Sequence, residues 1–261
     1  MFPSLGFIED TYSVMYFLGV IAALVLFEIY LRKHHKVKSK DIYYLEMSLI
    51  IAVLLGIVLS YSLQNLYNFI DDPEHFEWRW TSTFYGGIIG GGLGFFIPWF
   101  FWGRKHYPEG TKYALIIAPA SIALAHGIGR IGCFFAGCCY GIETEAWYGI
   151  QFPGHDHKVI PTNLFEAIFL LILSAVLIYN AFKEDYKYNF PTYFIAYGLW
   201  RFIIEFVRDD YRGSFIPGIT PSQFWSILLF LAGIIWVIVA LIFEKKKKDN
   251  NPENNVENNA E

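Results

Sequence analysis

Two arginines stand where an apolar sequence should hold none. Arg130 ends the HGIGR portion of HGIGRIGCFFAGCCYG, and Arg201 lies inside YFIAYGLWRFIIEFVRDD. An arginine within a membrane helix costs about 2.5–3.5 kcal/mol even on lenient insertion scales, so it faces a polar cavity and takes a partner. Snorkelling of the long side chain to the interface is the simpler alternative for either one alone. A guanidinium grips phosphate through two parallel hydrogen bonds, which the point charge of lysine cannot do. A phospholipid headgroup is the anion met at that depth.

Arg201 has polar company. Tyr197, Arg201, Glu205 and Arg208 are spaced by four, four and three, which places them on one helical face. Glu205 can neutralise Arg201 or Arg208 and leave one guanidinium for an anion. A structural Arg–Glu pair joining helices satisfies the same spacing. His126 precedes Arg130 by four residues and shares its face if the helix continues. Gly127, Gly129, Gly132, Gly137 and Gly141 surround Arg130, a pattern expected of irregular backbone lining a cavity; glycine also serves close helix packing. Cys133, Cys138 and Cys139 follow within seven residues. Their C-x4-CC spacing lacks the paired ligands of a zinc site, and there is no second cluster, so no metal is expected. One disulfide with a free thiol, or buried reduced cysteines, are the remaining readings.

The elements that carry these residues are membrane helices. The chain has 261 residues, 55% hydrophobic and 17% charged, against about 25% charged in soluble domains. Its mean hydropathy is +0.36. Apolar runs of the length that crosses a bilayer must be helical, because lipid offers the backbone no hydrogen-bond partner. Seven such runs are predicted, near Tyr12–Leu31, Ile42–Leu63, Phe84–Trp102, Tyr113–Gly129, Thr162–Phe182, Pro191–Val207 and Pro221–Phe243. The fold class is an all-α integral membrane protein with seven transmembrane helices.

With the N-terminus outside and the C-terminus cytoplasmic, fourteen of the 20 basic residues fall in inside loops, as the positive-inside rule requires. Asp71, Asp72, Glu74 and Glu77 then lie outside, with Asp209 and Asp210. The acidic flank MFPSLGFIEDT and the lack of an A-x-A-like site argue that the first helix is retained. Residues 1–244 are expected to form one polytopic domain, and 245–261 a disordered polar cytoplasmic tail. The scarcity of outside positive charge speaks against nucleic acid as a partner.

Three segments resemble a known family, the bacterial phosphatidylglycerol–prolipoprotein diacylglyceryl transferases. GRIGCFFAGCCYG is similar to the family signature, with its arginine at Arg130 and its later glycine at Gly141. YGLWRFIIEFVR is similar to the penultimate helix, with Tyr197, Arg201, Glu205 and Arg208 at matching positions. TSTFYGG and PTNLFEA are shorter matches to helix starts, the latter containing Glu166. The resemblance runs from the first helix to the last.

The resemblance implies transfer of the diacylglyceryl group of phosphatidylglycerol onto the lipobox cysteine of preprolipoproteins. A thioether forms and glycerol phosphate leaves. It implies a multi-pass location in the bacterial cytoplasmic (inner) membrane, with phosphatidylglycerol, preprolipoproteins and membrane lipids as partners and no cofactor. Arg130 and Arg201 would stabilise the leaving phosphate in a dry site, and Arg130, Gly141, Tyr197, Glu205, Arg208, Cys133 and Cys138 would line the substrate. The chain departs from the family pattern at Tyr85, commonly histidine, at Cys133, usually asparagine, and at Cys138, usually glutamate. The thiolate is the nucleophile, so a base is needed; His126 is expected to transfer the proton or orient the site, with Tyr85 second. A phospholipid transferase with another acceptor, and a non-catalytic lipid-binding or transport protein, are the competing functions.

Overall fold

The computed structural model describes residues 11–71, 73–79, 84–153, 156–209 and 218–249. The helices in chain order are α1 Thr11–Ile29, α2 Ser39–Asp71, α3 Phe84–Pro98, α4 Arg104–His106, α5 Gly110–Ala136, α6 Thr162–Glu184, α7 Asn189–Ile204 and α8 Pro221–Asp249. Each predicted apolar run is a helix. Among the described residues, five stretches are long and apolar enough to cross a membrane: Thr11–His34, Asp41–Leu66, Gly110–Ala136, Thr162–Glu184 and Ser222–Lys246. The helices α3 and α7 are shorter, at 15 and 16 residues. The helices leave apolar side chains open: Phe96 on α3, Ile172 on α6, Ile203 on α7 and Phe243 on α8 are among many large hydrophobic side chains that are exposed. In water such a surface would drive association; in lipid it is the solvent contact. The protein is a multi-pass membrane protein.

Two compact units make up the chain, Ile29–Ala114 on the one hand and Met1–Glu28 with Leu115–Glu261 on the other. In the first, α2 and α3 pack through glycines four apart. A Cβ on Gly86 would lie 2.3 Å from the Leu59 carbonyl oxygen, and one on Gly90 2.4 Å from that of Leu55. Only a residue without a side chain lets backbones meet that closely, as small-residue packing in membranes requires. Asn65 secures the loop beyond α2: its side-chain amide donates to the Arg79 carbonyl and accepts from the Arg79 amide, both at 2.9 Å.

In the second unit, buried polar side chains join the helices. Ser174 on α6 donates to the Ala120 carbonyl on α5 at 2.9 Å. Asn189 at the start of α7 donates to Ile116 and Leu177 carbonyls. Asp185, left-handed at φ 46°, closes α6 as its amide returns to Ala181 and that of Tyr186 to Asn180, an ending short polar residues tolerate. A capping box opens α8: the Gln223 amide donates to Thr220 Oγ1, and the Thr220 amide to Gln223 Oε1.

Two expectations need correction. The fourth run does not end near Gly129: α5 continues to Ala136 and is 27 residues long, so Arg130 sits in regular helix rather than in irregular backbone. Gly132 serves packing, since a Cβ there would lie 2.9 Å from Met15. And α8 runs on to Asp249, taking in the start of the segment expected to be a tail. Residues 250–261 lie outside the described residues, as do Asp72, Asp210 and Arg212.

Candidate anion site

Glu166 is the centre of the site. It lies one turn into α6 and is fully buried. Three guanidiniums converge on its Oε2: Arg130 Nε at 3.1 Å, Arg201 Nη1 at 3.4 Å and Arg208 Nη1 at 3.7 Å. Its Oε1 accepts the Tyr197 hydroxyl at 2.9 Å and lies 4.0 Å from His126 Nε2. Glu205 forms the second anionic pole, with Oε2 2.8 Å from Arg201 Nη2 and 3.7 Å from Arg208 Nε. Its Oε1 accepts from Thr220 at 2.9 Å, and Ser222 receives a hydrogen bond from Arg201 at 3.1 Å. The capping box of α8 is thereby tied into the cluster.

Different elements bring these groups together. Tyr197 and Arg201 ride on α7. Glu205 begins a 3-10 turn, Glu205–Val207, and Arg208 is extended at φ −89°, ψ 149°. The single helical face expected for all four residues therefore holds only as far as Glu205, and Arg208 returns to Glu166 from beyond the helix. The next segment fixes that return. The Ile142 amide donates to the Val207 carbonyl at 2.9 Å, Gly141 pairs with Arg208 in an isolated bridge, and a Cβ on Gly141 would stand 2.2 Å from the Val207 oxygen. Only glycine fits there.

Three guanidiniums share the buried Glu166 carboxylate, and two of them share Glu205. The Arg130 side chain is the most accessible of the three, 14% exposed against 8% for Arg201 and 2% for Arg208. Its ion pair to Glu166 is made through Nε, so the forked amino end that grips a phosphate is not the edge used in that pair.

The cysteines form a neighbouring cluster. Cys133 is buried at the end of α5; Cys138 and Cys139 are partly buried, and all three are free thiols with sulfurs within 4.8 Å of one another. The disulfide reading is not what the structure holds. Hydrogen bonds from the Cys133 and Cys138 thiols hold the Cys139 thiol below its ordinary range, and the charges of Arg130 and Arg208 act in the same direction. Thr162 and Asn163, buried in the first turn of α6, donate to the Cys139 and Cys138 carbonyls at 2.9 and 2.8 Å.

Of the residues expected from sequence, Arg130, Arg201, His126, Tyr197, Glu205 and Arg208 meet in one cluster. Gly141 buttresses it, and Cys133 and Cys138 share the thiol cluster. Tyr85 is in the first turn of α3, and its side chain lies outside the described residues. Glu166 was absent from the expected site although it is the acid of the PTNLFEA motif. The signal was present: it is an acid in the apolar run TNLFEAIFLLILSAVLIYN, and the rule that directs attention to membrane arginines applies equally to a carboxylate.

The fold and this site define a class: multi-pass membrane proteins with a buried guanidinium–carboxylate cluster within the helix bundle, Arg130 its most accessible arginine. Comparison with known proteins narrows the class. The family model described as prolipoprotein diacylglyceryl transferase matches residues 3–239. A phosphatidylglycerol–prolipoprotein diacylglyceryl transferase of Clostridium tetani is 33% identical over 233 residues, covering 85% of this chain and 90% of that protein. Transferase 2 of Clostridium perfringens is 34% identical, covering 86% and 88%, and the Geobacter sulfurreducens transferase is 31% identical, covering 92% and 94%. The chain belongs to the prolipoprotein diacylglyceryl transferase family.

Proposed function

We infer that this protein transfers the diacylglyceryl group of phosphatidylglycerol to the lipobox cysteine thiol of preprolipoproteins. The observation that carries the reading is the convergence of Arg130, Arg201 and Arg208 on buried Glu166, with Arg130 the most accessible of the three and paired to that carboxylate through Nε. Phosphatidylglycerol has one anionic phosphate, which the forked end of a guanidinium grips. In the reaction the acceptor sulfur bonds to the glycerol carbon that bears the phosphate, the carbon–oxygen bond breaks, and glycerol phosphate departs with the electron pair. Negative charge grows on phosphate during that step, and fixed guanidiniums in a dry site stabilise it most where it develops. Arg130 is the group that reaches the phosphate. Arg201, Glu205, Arg208 and Tyr197 hold the geometry through Glu166. His126, beside Glu166 and edge-on to the Tyr197 ring at 5.2 Å, orients the carboxylate.

The family reading also supports seven membrane crossings, with α3 and α7 as the two short ones, the N-terminus outside and the C-terminus cytoplasmic. It supports a place in the bacterial cytoplasmic membrane, where phosphatidylglycerol and exported preprolipoproteins meet. The test is transfer in detergent from acyl-labelled phosphatidylglycerol to a synthetic lipobox peptide with one cysteine. Label on the peptide, lost when its thiol is blocked and in Arg130→Ala, is the expected result. A folded preparation that transfers none would exclude the reading.

A further inference from the structure

The cysteine cluster is unused by the phosphate chemistry, and no described residue has yet been given the task of activating the acceptor thiol. Glu166 and Glu205 are each engaged by guanidiniums. Three sulfurs within 4.8 Å of one another suit a single thiophilic ion: zinc–sulfur bonds of about 2.3 Å place sulfurs sharing one ion about 4 Å apart. Cys139 has φ 60°, a left-handed conformation rare outside glycine, and this lets the adjacent Cys138 and Cys139 both bring their sulfurs to Cys133. Asn163 and Thr162 clamp the two carbonyls, so the loop is fixed before any ligand arrives. Cys138 and Cys139 also line an open cavity of about 230 Å³ with Gly137, Tyr140 and Asp209.

We propose that Cys133, Cys138 and Cys139 bind one zinc ion whose fourth position opens to this cavity and takes the acceptor cysteine. Three protein ligands with a free position are the pattern of a catalytic zinc site rather than a closed structural one. The proposal rests on the transferase reading and deepens it. On binding, the acceptor thiol loses its proton to water and becomes a zinc-bound thiolate. A sulfur lone pair forms the bond to the glycerol carbon, the carbon–oxygen bond breaks toward phosphate, and glycerol phosphate leaves. The thioether product, a weaker ligand than thiolate, dissociates, and zinc keeps its oxidation state throughout. Gly141 and Arg208 join the same loop to the arginine cluster, which sets nucleophile and leaving group side by side.

The test uses the full chain in detergent, stripped of metal by a chelator and titrated with zinc alone. One zinc per chain is expected, with affinity falling at least tenfold in Cys138→Ser and in Cys139→Ser. Cobalt in its place should show a sulfur-to-metal charge-transfer band. Failure of the stripped, folded wild-type chain to bind zinc stoichiometrically overturns the site. Transfer to the lipobox peptide is then compared in stripped and zinc-loaded wild-type protein, which avoids any folding defect of the variants. A loss of at least tenfold on stripping, restored by zinc, supports activation of the acceptor; equal rates overturn it. No transfer from zinc-loaded protein overturns the transferase reading and the acceptor role together, while the binding stoichiometry still decides the metal site.

Discussion

Glu166 Oε2 lies 3.1 Å from Arg130 Nε, a contact between the first turns of α6 and the last third of α5. That carboxylate is what makes a membrane interior with three arginines tolerable. Each guanidinium repels the other two, and only an acid at their centre lets them share so small a volume. An isolated buried charge would be far too costly.

Removing that acid should be felt in folding as well as in activity. Glu166→Gln removes the carboxylate on which three guanidiniums converge, and breaking a buried ion pair by deleting one partner costs about 3–5 kcal/mol. Thermal unfolding in detergent should show a clearly lowered midpoint, with transfer abolished. A wild-type midpoint would contradict the central role given to Glu166.

Arg201→Lys should separate charge from shape. Arg201 reaches Glu166, Glu205 and Ser222 at once, which a planar fork can do and an ammonium cannot. The protein should fold, and kcat/KM for transfer should drop at least tenfold, a loss of about 1.4 kcal/mol in transition-state stabilisation. Unchanged kinetics would mean that charge alone suffices.

Glycines near Arg130 should divide by their surroundings. At Gly141 a methyl group would meet the Val207 oxygen at 2.2 Å, whereas at Gly129 nothing lies within 4 Å. Gly141→Ala should displace Arg208 and reduce transfer severely. Gly129→Ala should leave transfer intact and, through better helix propensity, raise stability by up to about 1 kcal/mol. The pair of midpoints and rates checks both.

On the orienting role proposed above, His126→Ala should lower the rate of transfer without abolishing it, since the ring lies 4.0 Å from Glu166. His126→Gln, which keeps a hydrogen-bonding side chain there, should recover part of the loss. Full activity in His126→Ala would remove the residue from the site.

The sequence by itself determined where the helices are and which residues are out of place in them. Apolar runs without charges have one structural outcome in lipid, and an arginine within such a run announces a partner. Arg130, Arg201, Tyr197 and Glu205 were legible for that reason, and the motif spacing carried Arg208 and Gly141. What it did not determine was the partner. Glu166 is 36 residues from Arg130 and 35 from Arg201, and helical periodicity relates positions along one helix, not between helices. Only the packing of α5, α6 and α7, with the extended return of Arg208 beside Gly141, brought one carboxylate to three guanidiniums. Helix ends were equally a tertiary matter, since whether α5 stops at its glycines depends on what packs against them. The same holds for the thiols: C-x4-CC has no sequence-readable ligand geometry, and it took a left-handed Cys139 and the clamp from Thr162 and Asn163 to bring three sulfurs together.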